Sequence, residues 1–412
     1  SCAGNLTLTA GTLDTKSGTN HALTVTGACA IGTDGNLDMN DSAVSLGTLN
    51  VANGASASII FSGVTTTIAL TPNSTHPTWA FSIGASATAN FNGGTIKFLK
   101  TVSGGYLQMG STHVLNDVII DTNYDIPFAG HFKAASLDIQ DGNLNSYGGT
   151  TGMTITGLLT VGNGTDTAAS QYTDDAGGAH DQSFGSVIIN THGTLKATDQ
   201  TMTLLGNFTD NGTFTHNNGD VVTNGGTTIL LLGSSNTAFY DIKSASTGSG
   251  VSTFKQYTDK TIEHDMITGS KELQWKLESD DGVLTLGTDS YASQIDADYF
   301  DGTNVDNQYV QSASELYPAV FKSSIQILRY MGSAGQAGHM ATNAHIKNVD
   351  IQKAITTPSS SKTLTLDGDC EFDAVTISDG DIFDIGGQRA EFSGIFLVDN
   401  QGAYASLKST GG

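Results

Sequence analysis

The chain predicts an all-β fold: a right-handed parallel β-helix or a related β-solenoid, with loops inserted at its corners. Three observations carry that expectation. A short strand alternating aliphatic residues with Thr or Ser, closed by a Gly-led turn, keeps returning. It reads Leu6-Thr7-Leu8-Thr9-Ala10-Gly11, Leu23-Thr24-Val25-Thr26-Gly27, Val44-Ser45-Leu46-Gly47, Met153-Thr154-Ile155-Thr156-Gly157, Met202-Thr203-Leu204-Leu205-Gly206 and Leu364-Thr365-Leu366-Asp367-Gly368. A unit that returns this way marks stacked rungs. No helical period of apolar residues persists over about 11 positions. Finally, 50 of 412 residues are Gly and 38 % are hydrophobic, which suits a thin continuous core bordered by many turns.

Residues 1–245 are read as β-solenoid rungs. Alternating segments at 57–61, 67–70, 79–83, 95–99 and 118–120 are rich in Thr and β-branched residues, as half-buried strands require. The first three turn glycines, Gly11, Gly27 and Gly47, are 16 and 20 residues apart. A rung of about 20 residues is therefore expected, with insertions where corners lengthen. Pro72 and Pro77 mark one such insertion over 71–78. Further strands are expected at 186–190, 202–205 and 229–232. The polar segment 162–182, with Asp174-Asp175-Ala176-Gly177-Gly178, reads as an exposed loop.

Residues 246–345 form a divergent, insertion-rich segment with more Lys, Glu, Tyr and Asp. Either one short helix or β-structure with long insertions fits 312–331. Rungs resume over 346–412, through Val375-Thr376-Ile377 and Ile382-Phe383-Asp384. A string of β-sandwiches would instead show units of about 100 residues separated by linkers, and neither feature is present.

The balance of 17 Lys+Arg against 40 Asp+Glu gives a net charge of −23. Such a surface repels nucleic-acid phosphates and anionic membranes. No apolar run approaches the roughly 20 residues that span a bilayer, so no membrane insertion is expected. Three cysteines, Cys2, Cys29 and Cys370, make no disulfide framework. Cys2 and Cys29 sit one rung apart, so a bridge is open to them, but small buried thiols are the default. The chain opens in mid-pattern at Ser1 and is read as a processed chain or as part of a longer one.

The acidic clusters are the first site candidates. Asp280, Asp281, Asp296, Asp298 and Asp301 offer oxygen ligands to a hard cation such as Ca²⁺, although Asp-Gly pairs are also ordinary turn residues. No other cofactor is called for. Asp280, Asp281, Asp296 and Asp298 could also serve a polysaccharide depolymerase, as paired carboxylates for hydrolysis or as a Ca²⁺ cluster beside an Arg or Lys base for elimination, with Arg329 and Arg389 the arginines at hand. The ten histidines show no metal-binding spacing and read as surface or corner residues. Trp275, Tyr291, Tyr299, Tyr309 and Tyr317 are the candidates for receptor or partner contact. Tyr and Trp stack on sugar rings and anchor interfaces, while packing against the core is their competing role.

The segment Asn207-Phe208-Thr209-Asp210-Asn211-Gly212-Thr213-Phe214-Thr215-His216-Asn217-Asn218-Gly219-Asp220-Val221-Val222, followed by Ala238-Phe239-Tyr240-Asp241-Ile242, is the most distinctive stretch. With Leu6-to-Val25 it resembles degenerate β-helical repeats of large marine bacteriophage structural proteins and of bacterial cell-surface proteins. The resemblance covers roughly half of the chain and brings no catalytic residues. It implies a structural or adhesive exterior virion protein: a fibre, spike or capsid decoration. A secreted bacterial adhesin or surface-layer protein is the alternative, and the depolymerase stands third. Expected partners are other virion or surface proteins, an oligomer, and a cell-surface glycan. The expected location is the virion exterior or, for the alternative, the cell surface.

Overall fold

The computed structural model describes residues 1–61, 65–70, 79–91, 93–100, 105–110, 112–165, 170–174, 180–248, 250–264, 266–267, 273–277, 283–286, 295–296, 299–302, 308–311, 320–321, 325–330, 337–340, 345–351, 363–366, 370–377, 382–387, 389–392, 396–398 and 406–409. Among these there is no helix, and so none long and apolar enough to cross a membrane. The protein is all-β, and its parallel strands stack as a β-solenoid. It divides into two compact units. One holds Ser1–Met202 and Asn211–Thr215; the other holds Thr203–Asp210 and His216–Gly412.

In the first unit the alternation seen in the sequence becomes inward-pointing columns. Leu6, Cys29, Leu49, Phe81, Leu107 and Phe128 follow one another in register. Val25, Leu46, Phe98 and Ile120 form a second column, in which Ile68 holds the register position between Leu46 and Phe98. Leu13, Leu37, Ile59 and Ala89 form a third. Each rung thus has three faces, and each face adds one apolar layer. Cys29, Leu49, Phe81 and Leu107 are fully buried. Burying a side chain of that kind contributes about 1.5–3 kcal/mol. Because strand side chains alternate with a period of 2, a slip of one residue would turn a whole column out to solvent.

The register advances by 19 residues per rung between Thr194 and Thr213 and by 32 between Leu49 and Phe81. The longest steps take in residues 71–78, whose own structure lies outside the described residues. The insertion expected at Pro72 and Pro77 falls on those residues. The one antiparallel pairing among the described strands is the small ribbon Lys16–Ser17 with Thr19–Asn20.

In the second unit parallel pairing runs on through the divergent segment. Phe239, Ile262, Leu286, Gln311, Tyr330, Ile351, Ile377 and Val398 occupy one register column. Val320–Phe321 and Ile325–Tyr330 are strands, which resolves 312–331 in favour of β-structure where it is described. Ile229, Phe254, Trp275 and Phe300 make a second column, with the Phe254 and Trp275 rings stacked at 5.2 Å.

Two sequence expectations need correction. The segment 162–182 is not a plain exposed loop. Ser170–Thr173 is a strand in register with Gly142-to-Asn145, and Ser170, Tyr172, Asp174, His180 and Gln182 are buried. The histidines are not all peripheral, since His113 and His180 are buried. The cysteines follow their default reading: Cys2 and Cys29 are free thiols, Cys29 buried and Cys2 half-buried. Cys29 points into the core at 0 % exposure, while Cys2 makes an isolated parallel bridge to Val25. Burial pushes the Cys29 thiol up to about 12.

Candidate functional site

Ionisable side chains gather at three places, each within one unit. The first lies where the sequence reads as a loop. Ser170–Thr173 alternates inward and outward, so Ser170, Tyr172 and Asp174 face the core. Asp174 Oδ1 accepts hydrogen bonds from Ser146 Oγ at 2.7 Å and His180 Nε2 at 2.6 Å. Gln182 Nε2 donates to Asp174 Oδ2 at 3.1 Å and to the Tyr172 hydroxyl at 3.0 Å. Thr198 Oγ1 closes the group on the His180 carbonyl at 2.7 Å. Three donors thus satisfy the oxygens of this buried carboxyl group. Burial first, and then the Asp174 charge, raises the Tyr172 phenol well above its ordinary value.

Ser, His and Asp stand together here, but not as a nucleophile and its base. The Ser146 hydroxyl donates to Asp174, and His180 spends Nε2 on the same oxygen. Activation of a serine requires its hydroxyl to be bonded to the imidazole. Chemically, the group ties the rung of Ser146 to that of Asp174 and leads from there to Thr198.

The second group centres on Lys260, which is fully buried in register with Thr237 and Leu284. Its Nζ donates to the Ser235 carbonyl at 3.0 Å, Thr258 Oγ1 at 2.6 Å and the Asp259 carbonyl at 3.0 Å. Burial lowers its pKa to about 8, against the opposing charges of Asp210 and Asp259. The buried Asp210 in turn accepts from Thr237 Oγ1 at 3.0 Å.

The third group is partly open to solvent. His216, Tyr240 and His264 stack in a column, with ring centroids 5.5 and 4.8 Å apart. His216 Nε2 lies 3.1 Å from Glu263, and His264 Nδ1 lies 2.8 Å from Asp241. Lys243 bridges Asp220 at 2.9 Å and Asp241 at 3.2 Å. Burial works against the Lys243 charge, but the hydrogen bond and charge of Asp220, and then Asp241, outweigh it and raise its pKa. Stacked rings and paired charges thus share one half-buried patch of the second unit.

The residues singled out from sequence fare differently. Trp275 is a correction: it is 0 % exposed, and its Nε1 donates to Gln256 at 2.8 Å, so it anchors the core and cannot meet a receptor. Tyr299 and Asp301 lie on the strand Tyr299–Gly302, with Asp301 in register with Lys276. Asp296 lies on Ile295–Asp296 opposite Ile267. Tyr309 lies on Gln308–Gln311, at the register position of Leu284. Tyr291, Tyr317, Asp280, Asp281 and Asp298 lie outside the described residues. Among the described residues no three His, Cys, Asp or Glu side chains are placed to hold a metal ion.

The exposed large aromatics of the described chain are Tyr124 and Tyr147. The Tyr147 ring is 4.8 Å from that of Tyr106. These tyrosines stand outside the aromatic-rich stretch that the sequence pointed to. Comparison with known proteins finds no matching family model, no similar curated protein and no similar solved structure.

Proposed function

We propose that this chain is a structural or adhesive exterior protein of a bacteriophage virion: a fibre, spike or capsid decoration. One observation supports the reading above others. The groups with the strongest chemistry, Asp174 with His180 and Lys260 with its carbonyl partners, are buried, and Ser146–Asp174, Thr198–His180 and Lys260–Ser235 bond one rung to the next. Their bonds serve cohesion between layers. The role is then mechanical. Parallel backbone pairing makes each layer the template of the next, and corners such as His216–Tyr240–His264 present side chains to a partner protein or a cell-surface glycan. The acidic surface, with a net charge of −23, disfavours nucleic-acid partners.

The test is immunogold electron microscopy of the source culture with an antibody to this chain. Label on phage particles supports the proposal and shows which part of the particle carries the protein. Label on cell envelopes rejects it in favour of an adhesin or surface-layer role.

A further inference from the structure

Four strand segments of the first unit, 142–145, Ser170–Thr173, Gly193–Lys196 and Thr213–Thr215, stack in parallel register. Leu144, Tyr172, Leu195 and Phe214 make the inward column. The residues between them point out, in two columns. Asn143, Gln171, Thr194 and Thr213 form one, and Asn145, Thr173, Lys196 and Thr215 form the other. Neighbouring strands lie about 4.8 Å apart, and alternate residues of one strand roughly 6.6 Å apart. The face is therefore a grid of amides and hydroxyls with one ammonium, about 14 Å long.

Much of this grid has no partner within the protein. Thr173 Oγ1 donates to Asn143 Oδ1 at 3.1 Å, but the side chains of Gln171, Thr194, Thr213 and Thr215 make no hydrogen bond among the described residues. Outward polar residues of other rungs are tied to one another, as Ser82 Oγ is to Asn50 at 2.8 Å. The grid also carries no carboxylate, in a chain with 40 acidic residues. Asp141, just before it, accepts the Gly142 N–H at 2.8 Å, and Asp174, just after Thr173, is buried. On the first strand the next outward position after Asn143 and Asn145 belongs to Tyr147. That residue is 47 % exposed, and its ring lies 4.8 Å from that of the half-buried Tyr106.

These features fit one class of partner. Sugar hydroxyls both donate and accept, as do the amides and hydroxyls of the grid, and the apolar face of a sugar ring stacks on Tyr. A protein partner would instead need a central cluster of aromatic or Arg anchors, whereas the aromatics here stand at the margin. An acidic glycan would meet the repulsive field of a chain of net charge −23. We propose that the grid from Asn143 to Thr215, flanked by Tyr147, binds a neutral glycan, with a short oligosaccharide lying along the stack across successive strands. This contact is one form of the adhesive role proposed above and rests on it.

Isothermal titration of the full chain tests the proposal. The probes are neutral oligosaccharides of glucose, mannose, galactose and N-acetylglucosamine, with alginate and polygalacturonate oligomers of equal length as the acidic set. At least one neutral oligosaccharide should bind with a Kd of roughly 1 mM or tighter, and the acidic ones more weakly. Tyr147→Ala should weaken that binding at least roughly fivefold, because it removes the stacking ring. Gln171→Glu keeps the shape of the side chain but exchanges an amide donor for a carboxylate, and should weaken binding by roughly the same factor. Unchanged strand circular dichroism would show that both variants keep the fold. Three results would each overturn the proposal: no binding of any neutral oligosaccharide, tighter binding of an acidic one, or binding that ignores either variant. None of them bears on where the protein resides, which the immunogold label decides separately.

Discussion

Lys260 shows how much a single side chain can reveal about the core. It is fully buried, and its ammonium is held by two carbonyls and one hydroxyl. Burial still dominates and brings the pKa from 10.5 to about 8. The sign of the consequence follows from proton counting. Between pH 8 and 10.5 the unfolded chain keeps this proton while the folded chain releases it, so stability rises with pH across that window. Below pH 8 both states are protonated and the contribution is flat. The full gain is about 3 kcal/mol. Urea unfolding of the native chain and of Lys260→Met at pH 7 and pH 10.5 checks it. The native chain should gain on the variant by about that amount between the two pH values. Equal shifts in both would mean that Lys260 keeps its proton, and that burial is not what governs it.

At the scale of the element, the corners decide which residues are allowed. Gly47 sits where one rung crosses the next. A Cβ there would stand 2.5 Å from the Thr26 carbonyl oxygen and 2.7 Å from that of Gly27. Both are backbone atoms that cannot swing aside, so Gly47→Ala should cost about 1–3 kcal/mol, as overpacking does. Gly4 has nothing within 4 Å of the same construction, and Gly4→Ala should stay within about 0.5 kcal/mol. Thermal melting of the two variants tests the contrast; equal losses would mean that the close approach at Gly47 is not what constrains it. The returning Gly phrase was legible because the clash it avoids recurs at corners. Strands were legible for a similar reason: Trp79–Ile83 and Ala390–Phe392 alternate cleanly. The strand at Ser170–Thr173 was not, because Ser-Gln-Tyr-Thr-Asp is polar on both faces and hydropathy reports composition rather than whether polar groups find partners. Charged neighbours such as Glu272 and Lys276 mask the core position of Trp275 in the sequence. The alternation Leu273-Gln274-Trp275-Lys276-Leu277 held the better signal, since it places the indole on the same face as two leucines. The buried Asp174 network had no sequence signal of its own. Its members come from three successive rungs, and register alone brings them together.

For the whole molecule the governing quantity is charge spread over stacked layers. Neighbouring strands lie about 4.8 Å apart, so outward carboxylates on successive rungs fall within the Debye length of about 10 Å at 0.1 M salt. Asp138 registers the effect. Burial is the main cause of its raised pKa, and the charge of Asp121 adds to it, against the Gln140 hydrogen bond and the Lys97 charge. Favourable pairs exist, such as Lys97–Asp121 at 2.6 Å, but exposed pairs contribute only about 0–1 kcal/mol each. With 40 acidic residues against 17 basic ones, repulsion should outweigh them. The melting midpoint, followed by strand circular dichroism, should therefore rise as NaCl increases from roughly 10 to 500 mM. Asp138→Asn should melt higher at low salt and gain less from added salt, because it removes one term of the repulsion that salt screens. A midpoint that falls with salt would reverse the argument. It would mean that ion pairs such as Lys97–Asp121 and Lys243 with Asp220 and Asp241 hold the layers more strongly than the surplus carboxylates push them apart.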